Sequence, residues 1–556
     1  MEPEIVRELS KVDPSIPFRA SASHRHHTWA RTFHSRPELY IQPHSTEEIQ
    51  KVVTLARRCR RRIVTVGSGH SPSDLTCTSS WMVNLDHYDR ILEIDEDRKT
   101  VVMQAGIRLH DLGLKLKKHG LAMPNLGSID HQSIAGAIGT ATHGSSTRHG
   151  LLSQSVKGLK IMLANGRVVS CSAEQNKDLF RAALVSLGAL GIIVEITFQA
   201  VPVFNIQWSQ SLHPLEEIIA DWNRDLWTQK EFTRVWWMPY MKRVIKWRAD
   251  KTDRPEKPPV ANWWGGSVGF HTYHILLYIA QWFPSLIPRI ERFVINVQYG
   301  FKDGAGSTAI QESRTGLLMN CLYSQFVNEW AIPLQKGPEA ITRLSKWLNG
   351  EEEASGIPGS SKGIYVHSPI EVRVSDTSTT TPRPYLDNTM PDSATLYLNA
   401  TLYRPYNCDP PCRERYYEAF EYLMKEMGGR PHWAKNFSTV TREDIHNMYP
   451  EIHDWIRVRN EVDPKGMFVG DWHRRLLLPD DVGKPVMANE ERKIKIETAE
   501  AGGVDWTGHL PGKNLSPQTS EESFEMMHGA EAEKSVLLGN LAGAQEDEDE
   551  ELRSMI

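Results

Sequence analysis

Three short stretches carry the residues with most chemical potential. In Ile370-Glu371-Val372-Arg373-Val374, period-two alternation sends the aliphatic side chains to one face of a strand and the carboxylate and guanidinium to the other. Such a pair suits the handling of a polar substrate, and it equally suits a solvated ion pair on a wet strand face. In GGRPHWAKNF, Gly428 to Phe437, Lys435 stands between a tryptophan and an asparagine, where partial desolvation would place a cation beside developing negative charge. An exposed loop lysine is the plainer alternative. In RRIVTVGSGHSPSDL, Arg61 to Leu75, His70 closes a Gly67-Ser68-Gly69 loop behind a run of β-formers.

The glycine loop restricts its own interpretation. A dinucleotide fingerprint needs a further glycine at the sixth position and a helix behind it, and Pro72 stands there instead. Two readings remain. Bare N–H groups could cradle a diphosphate with His70 directed at the ligand, or the strand could simply turn and leave a surface histidine.

The elements that must position these residues are legible in outline. Tyr40-Ile41-Gln42-Pro43 reads as a short strand, and Ser45-Thr46-Glu47-Glu48 offers a capping box to a helix with Ile49, Val52, Val53 and Ala56 inward. Strand Ile63 to Val66 follows. A second glycine-dense stretch, NLGSIDHQSIAGAIGTATHGSSTRHG, spans Asn125 to Gly150; Asn165-Gly166 marks a hairpin; and a glycine pair leads into a strand ending near Phe198. Three glycine-dense loops in one α/β region point to backbone packed against a single extended ligand. Beyond residue 205 tryptophans become frequent. There, Thr395 to Tyr403 sets Leu396, Leu398, Ala400 and Leu402 against Tyr397, Asn399, Thr401 and Tyr403, a hydrogen-bonding front fit for a pocket roof or for a wet sheet face.

Composition narrows the class. The chain has 556 residues, 40% hydrophobic and 24% charged, which describes a soluble globular protein of two or three domains. A net charge of -5 argues against broad nucleic-acid binding, and the run Arg57, Arg58, Arg60, Arg61, Arg62 reads as a solvated helix end. Six cysteines make no disulfide framework and favour a reducing compartment; CDPPC, Cys408 to Cys412, lacks a second ligand pair, so no metal site is expected. The N-terminus shows no apolar signal core. Ile275 to Ile287 is apolar but shorter than the ~20 residues a spanning helix needs, and Pro284 interrupts it. It suits either a membrane surface or a buried cap helix. From about residue 481 the chain is polar and acidic and reads as a disordered tail.

Taken together, VGSGHSPSDL, NLGSIDHQSIAGAIGTATHG, the EVR strand, RPHWAKNF and the closing DPKGMFVGDWHRRLLLP make the chain similar to a known family. From about Phe33 to Pro479 it resembles the sugar-lactone oxidoreductases of the vanillyl-alcohol-oxidase flavoprotein superfamily, most closely the fungal D-arabinono-1,4-lactone oxidases. The resemblance implies an α+β fold: an extension over 1-32, an FAD-binding domain over 33-204, a mixed α/β cap domain over 205-425, a return segment over 426-480 carrying HWAKNF, and the tail over 481-556. It implies FAD, with Val66, Gly67, Ser68, Gly69, His70 and Ser71 around the diphosphate and a covalent bond from His70 to the methyl group at the benzenoid end of the flavin. Gly127, Ser128, Ser133, Thr140, His143, Gly144, Gly191 and Ile193 fall in its other flavin-contacting segments.

The same resemblance implies oxidation of a sugar γ-lactone by O2 to a product of the erythroascorbate or ascorbate kind, an antioxidant, with hydrogen peroxide released. Arg373 would anchor the lactone and balance charge on reduced flavin, Glu371 would orient Arg373 and substrate hydroxyls, and Lys435 would lie near the reacting hydroxyl. Gly127, being small, implies an oxygen path and therefore an oxidase. Rival readings are a lactone dehydrogenase passing electrons to cytochrome c, and a non-catalytic flavin-binding or membrane scaffold. The family's placement at mitochondrial membranes carries over as an expectation of peripheral association. The tail lies beyond the family's closing motif, so truncation after Pro479 is expected to leave activity intact.

Overall fold

The computed structural model describes residues 1–478 except 261–262, 320–321 and 368, together with 497–498. The expectation of a disordered tail therefore lies outside the described residues, save that Glu497–Thr498 forms a short strand against Phe33 and His34.

The N-terminal half is built on two sheets. Strands Leu39–Ile41, Trp81–Asn84 and Ile63–Val66 run parallel, with Ala20–Ser21 antiparallel at the edge. Parallel pairing needs a crossover, and helix Thr46–Arg58 supplies it, burying Ile49, Val52, Val53, Leu55 and Ala56. Its start departs slightly from a full capping box. Ser45 accepts from the Glu48 N–H at 3.2 Å, but the Glu48 carboxylate turns to the His44 N–H at 3.1 Å. The basic run at its end is solvated only in part: Arg57, Arg58 and Arg60 are exposed as expected, whereas Arg61 is buried, bonded to Glu38 at 2.7 Å and Glu2 at 2.7 Å, and Arg62 bonds Asp471 at 2.9 Å. A guanidinium flanked by carboxylates tolerates this burial where a bare one would not.

The second sheet is antiparallel and five-stranded, in the order Val168–Ser172, Val156–Met162, Ile192–Gln199, Thr100–Gln104, Ile91–Asp95. Its hairpin turns at Gly166, where φ is +82° and glycine is needed.

From Asn205 an eight-stranded antiparallel sheet begins. Its order is Gly306–Glu312, Asn205–Pro214, Arg243–Thr252, Phe232–Met238, Ile370–Ser375, Thr395–Tyr403, Gln325–Pro333, Arg430–Pro431. The central strands are buried on both faces, so neither 370–375 nor 395–403 is a wet strand. The apolar stretch near residue 280 is two helices, Ser267–Ile279 and Ile287–Tyr299, broken around Pro284. Tyr273, Leu277, Ile290 and Val294 pack inward, whereas Val268, Ile275, Ile279, Trp282 and Phe283 are exposed.

Candidate active site

Two connected chambers lie in the protein, the first within the N-terminal half and the second between that half and the large sheet. The first spans about 1000 Å³, counting space open to solvent, and its lining includes the loop Val66 to Ser71, the short helix Ile134–Gly139 with its flanking Ser133 and Thr140, the turn and strand start Ser186 to Ile193, and Phe468 with His473. The loops approach too closely for side chains. A Cβ on Gly67 would lie 2.3 Å from Ser133 Oγ, and one on Gly191 would lie 2.5 Å from the Met162 carbonyl. Gly69 has φ +66°, the left-handed conformation that favours glycine. His473 is tied in by its Nδ1 accepting from the Gly470 N–H at 3.0 Å and its Nε2 lying 2.8 Å from the Leu187 carbonyl.

The second chamber, about 930 Å³, is floored by the front of the large sheet. Residues from well-separated sequence positions converge there: Glu371 and Arg373, Asn399, Thr401 and Tyr403, Lys435, Gly127 and Ser128, and His143. His70, Ser71 and Gln132 line both chambers and so stand at the junction. Of the residues singled out in sequence, all line a chamber except Gly144. A Cβ there would sit 2.1 Å from Asn125 Oδ1, so Gly144 is glycine to admit the Asn125 side chain.

Sheet register explains the convergence. Glu329 pairs with Asn399, and Asn399 with Glu371, so three adjacent strands present one row of polar side chains. Arg373 lies one row on, opposite Tyr397. His143 arrives from the other half of the protein because its neighbours are stapled to this sheet. The Ser146 N–H donates to the Val374 carbonyl at 2.9 Å, and Ser145 bonds both the Thr233 carbonyl and the Val374 N–H.

Arg373 is 5% exposed and held between two carboxylates and a hydroxyl. Its Nη2 donates to both oxygens of Glu329 at 2.9 Å, its Nε lies 3.3 Å from Glu371 Oε2, and its Nη1 reaches Ser128 Oγ at 3.3 Å. Burial works against its proton, yet Glu329 and Glu371 outweigh this and raise its pKa. For Glu329 burial pushes up while Arg373 and His143 pull down further, leaving it well below the carboxylate range. Buried Arg234, beside Glu371 and Arg373, is lowered by burial to about 10 and adds positive field. His432 contributes its Nδ1 as acceptor for the Ala434 N–H at 3.2 Å, and burial holds the ring neutral.

Glu329, His432 and Trp29 were not evident in the sequence. Glu329 sits in QFVNEWAIP, where neither alternation nor spacing sets it apart from a surface acid. Trp29 belongs to the N-terminal extension; its indole stacks on His70 at 5.1 Å and its backbone N–H donates to the Gly69 carbonyl at 2.7 Å. His131 stacks at 5.9 Å. Desolvation, aided by His131, Arg108 and Lys435, lowers the His70 pKa to about 3, so the ring is neutral at ordinary pH. His143, Glu329 and His432 bring possible metal-ligand atoms within 4.8 Å of one another, but the guanidinium already on both Glu329 oxygens makes the cluster an ion-pair hub rather than a cation site.

FAD fits this architecture. A glycine-walled channel with exposed backbone suits a diphosphate, and buried polar atoms without protein partners, Gln132 Oε1 and Glu371 Oε1, remain in the chamber lining for ligand contacts.

The sequence signature of D-arabinono-1,4-lactone oxidase matches residues 196–476, and that of an FAD-binding domain matches residues 37–172. A Neurospora crassa relative is 50% identical over 532 residues, covering 91% of this chain and 96% of that one. The D-arabinono-1,4-lactone oxidase of Yarrowia lipolytica is 42% identical, covering 81% of this chain and 96% of its own. Crystalline cholesterol oxidase from Brevibacterium sterolicum superposes with a TM-score of 0.67 at 15% identity, covering 84% of this chain and 99% of that chain, which establishes the shared α+β FAD-binding fold. By signature and by overall identity, the chain belongs to the D-arabinono-1,4-lactone oxidase family of FAD-dependent enzymes.

Proposed function

We propose that this enzyme oxidises D-arabinono-1,4-lactone with O2, giving dehydro-D-arabinono-1,4-lactone, that is erythroascorbate, and hydrogen peroxide. The observation that carries the reading is the convergence of Glu371, Arg373 and Lys435 in a chamber that meets the glycine-walled channel at His70. Bound FAD supplies the hydride acceptor. The protein's part is positioning and field. Arg373, rigidly held by two carboxylates, presents a fixed cation to the lactone and to negative charge formed in the reaction. The Glu371 oxygen without a protein partner is available to a substrate hydroxyl. Lys435 lines the same chamber and suits the negative charge that develops at the reacting hydroxyl.

The covalent bond to His70 belongs to this proposal. A neutral imidazole sandwiched between Trp29 and His131 supports it, since attack needs the free ring nitrogen and a fixed orientation. Small Gly127 beside His143 and Gln132 supports an oxygen path. Peripheral association with a mitochondrial membrane is proposed on the exposed Ile275, Ile279, Trp282 and Phe283, flanked by exposed Arg289 and Arg292. Among the described residues no helix is long and apolar enough to cross a membrane.

The test is anaerobic mixing of purified protein with the lactone, then admission of air. Bleaching of the yellow colour followed by stoichiometric peroxide supports the oxidase. Reoxidation by cytochrome c but not by air would favour the dehydrogenase, and no bleaching would favour a scaffold.

A further inference from the structure

Glu329 is wholly buried and stands in the row that continues through Asn399 to Glu371. Its Oε1 faces His143 Nε2 at 2.7 Å and Arg373 Nη2 at 2.9 Å; its Oε2 accepts from Arg373 Nη2 at 2.9 Å and Asn399 Nδ2 at 3.1 Å. The other nitrogen of His143, Nδ1, lies 2.9 Å from the Gly144 carbonyl oxygen. The ring cannot swing away, because it stacks on Tyr397 with centroids 3.4 Å apart.

Both nitrogens of His143 therefore face acceptors. A carbonyl oxygen never donates, so Nδ1 must carry a proton, and a neutral imidazole then has only a lone pair to set against Glu329. A lone pair against an ionised carboxylate at this distance is repulsive. One additional proton removes the conflict, and because Arg373 Nη2 donates to both Glu329 oxygens it rests on the ring, at Nε2.

We infer that Glu329 and His143 share this proton and act together as positioning residues that fix Arg373 over the substrate chamber. With the proton in place, Arg373 and the His143–Glu329 pair meet Glu371 with their charges balanced. Lys435 and Arg234 are then left as net positive charge around the lactone site. Without it, one cation fewer opposes Glu329 and Glu371, and Arg373 is drawn down toward Glu329.

The titratable and charged groups around His143 are Glu329, Arg373, His432 and Tyr397. Burial and Arg373 lower the His143 pKa while Glu329 raises it, and the Glu329 pKa is held well below the carboxylate range by Arg373 and His143 against its burial. Taken one group at a time those directions strip the pair of its proton; the two acceptors facing one ring argue that it stays between them. His432, kept neutral by burial, does not compete.

The inference deepens the lactone-oxidase reading, and its first test is independent of turnover. Holoenzyme labelled with 15N only in histidine is examined by nitrogen–proton correlation between about pH 6 and 8. The His143 ring, assigned by its disappearance in His143→Gln, should show both nitrogens protonated. In Glu329→Gln, whose amide N–H can donate to Nε2, it should become the neutral Nδ1–H form. In turnover, Glu329→Gln should raise the lactone KM at least tenfold and flatten the alkaline limb of kcat/KM, and Glu329→Asp should restore that limb. A singly protonated wild-type ring throughout, or one unaltered in Glu329→Gln, overturns the inference. A doubly protonated ring in an enzyme that never bleaches with lactone overturns the substrate reading alone.

Discussion

Replacing Arg373 with methionine keeps the side chain's bulk and removes the charge on which the site is centred. The structure sets the size of the effect. The guanidinium bridges Glu329 and Glu371, both nearly sealed from water, with Asn399 Nδ2 otherwise their common donor at 3.1 and 3.4 Å. Removing one partner of such a buried pair costs about 3–5 kcal/mol; Glu371 is left with Asn399 alone while Glu329 keeps His143 and Asn399, so Arg373→Met falls within that range. In the wild type the depressed Glu329 pKa contributes stability that is present above the unfolded value of about 4.3 and is lost as pH falls through the folded value. In the variant burial governs and the folded pKa rises, so the sign reverses: the penalty is full at alkaline pH and shrinks as acid protonates the freed carboxylate. The gap between wild-type and variant unfolding midpoints should accordingly narrow as pH is lowered from about 8 to about 5. Anaerobic stopped-flow reduction by the lactone should slow about 10²–10³-fold, the loss typical of a single preorganised charge-stabilising group. A midpoint gap that is the same at both pH values, or reduction within a few-fold of wild type, would refute the reasoning.

Three further outcomes are expected. Gly127→Ala puts a methyl group 3.0 Å from Thr142 Cγ2, so it narrows the space beside His143. It should preserve dye-coupled lactone oxidation while suppressing oxygen consumption, and Gly127→Ala/Thr142→Ser should keep that pattern with the crowding relieved. Equal loss of both activities would remove Gly127 from the oxygen path. After acid precipitation the yellow colour should pellet with the wild type and stay in the supernatant with His70→Ala; colour in the wild-type supernatant would eliminate the covalent bond. Trp282→Ser/Phe283→Ser, changed at exposed positions remote from the chambers, should turn over normally in solution but bind anionic vesicles at least tenfold more weakly, since burying each apolar side chain is worth about 1.5–3 kcal/mol. Unchanged vesicle binding would dismiss that surface.

What the sequence alone determined is what depends on near neighbours. Alternation in Ile370 to Val374 put Glu371 and Arg373 on one face because a strand's period is two wherever it lies. Gly67 and Gly69 announced a tight loop because only glycine accepts that geometry and that approach. The assembled set of motifs, rather than any single one, was enough to indicate the family.

Tertiary structure decided the rest. Whether the polar face of Thr395 to Tyr403 was wet or enclosed depended on what lies across from it, which is His143, carried in by the Ser145–Ser146 staple from more than two hundred residues upstream. Arg61 was misjudged for the same reason, its carboxylate partners being supplied from Glu2 and Glu38. Glu329 looked like any acid in a strand until register set it beside Asn399 and under Arg373. Trp29 had no signature at all until the N-terminal extension folded over His70. Local rules fix which way a side chain points; only the complete fold fixes what it meets and how much water is left there, and in this site those two quantities set every charge.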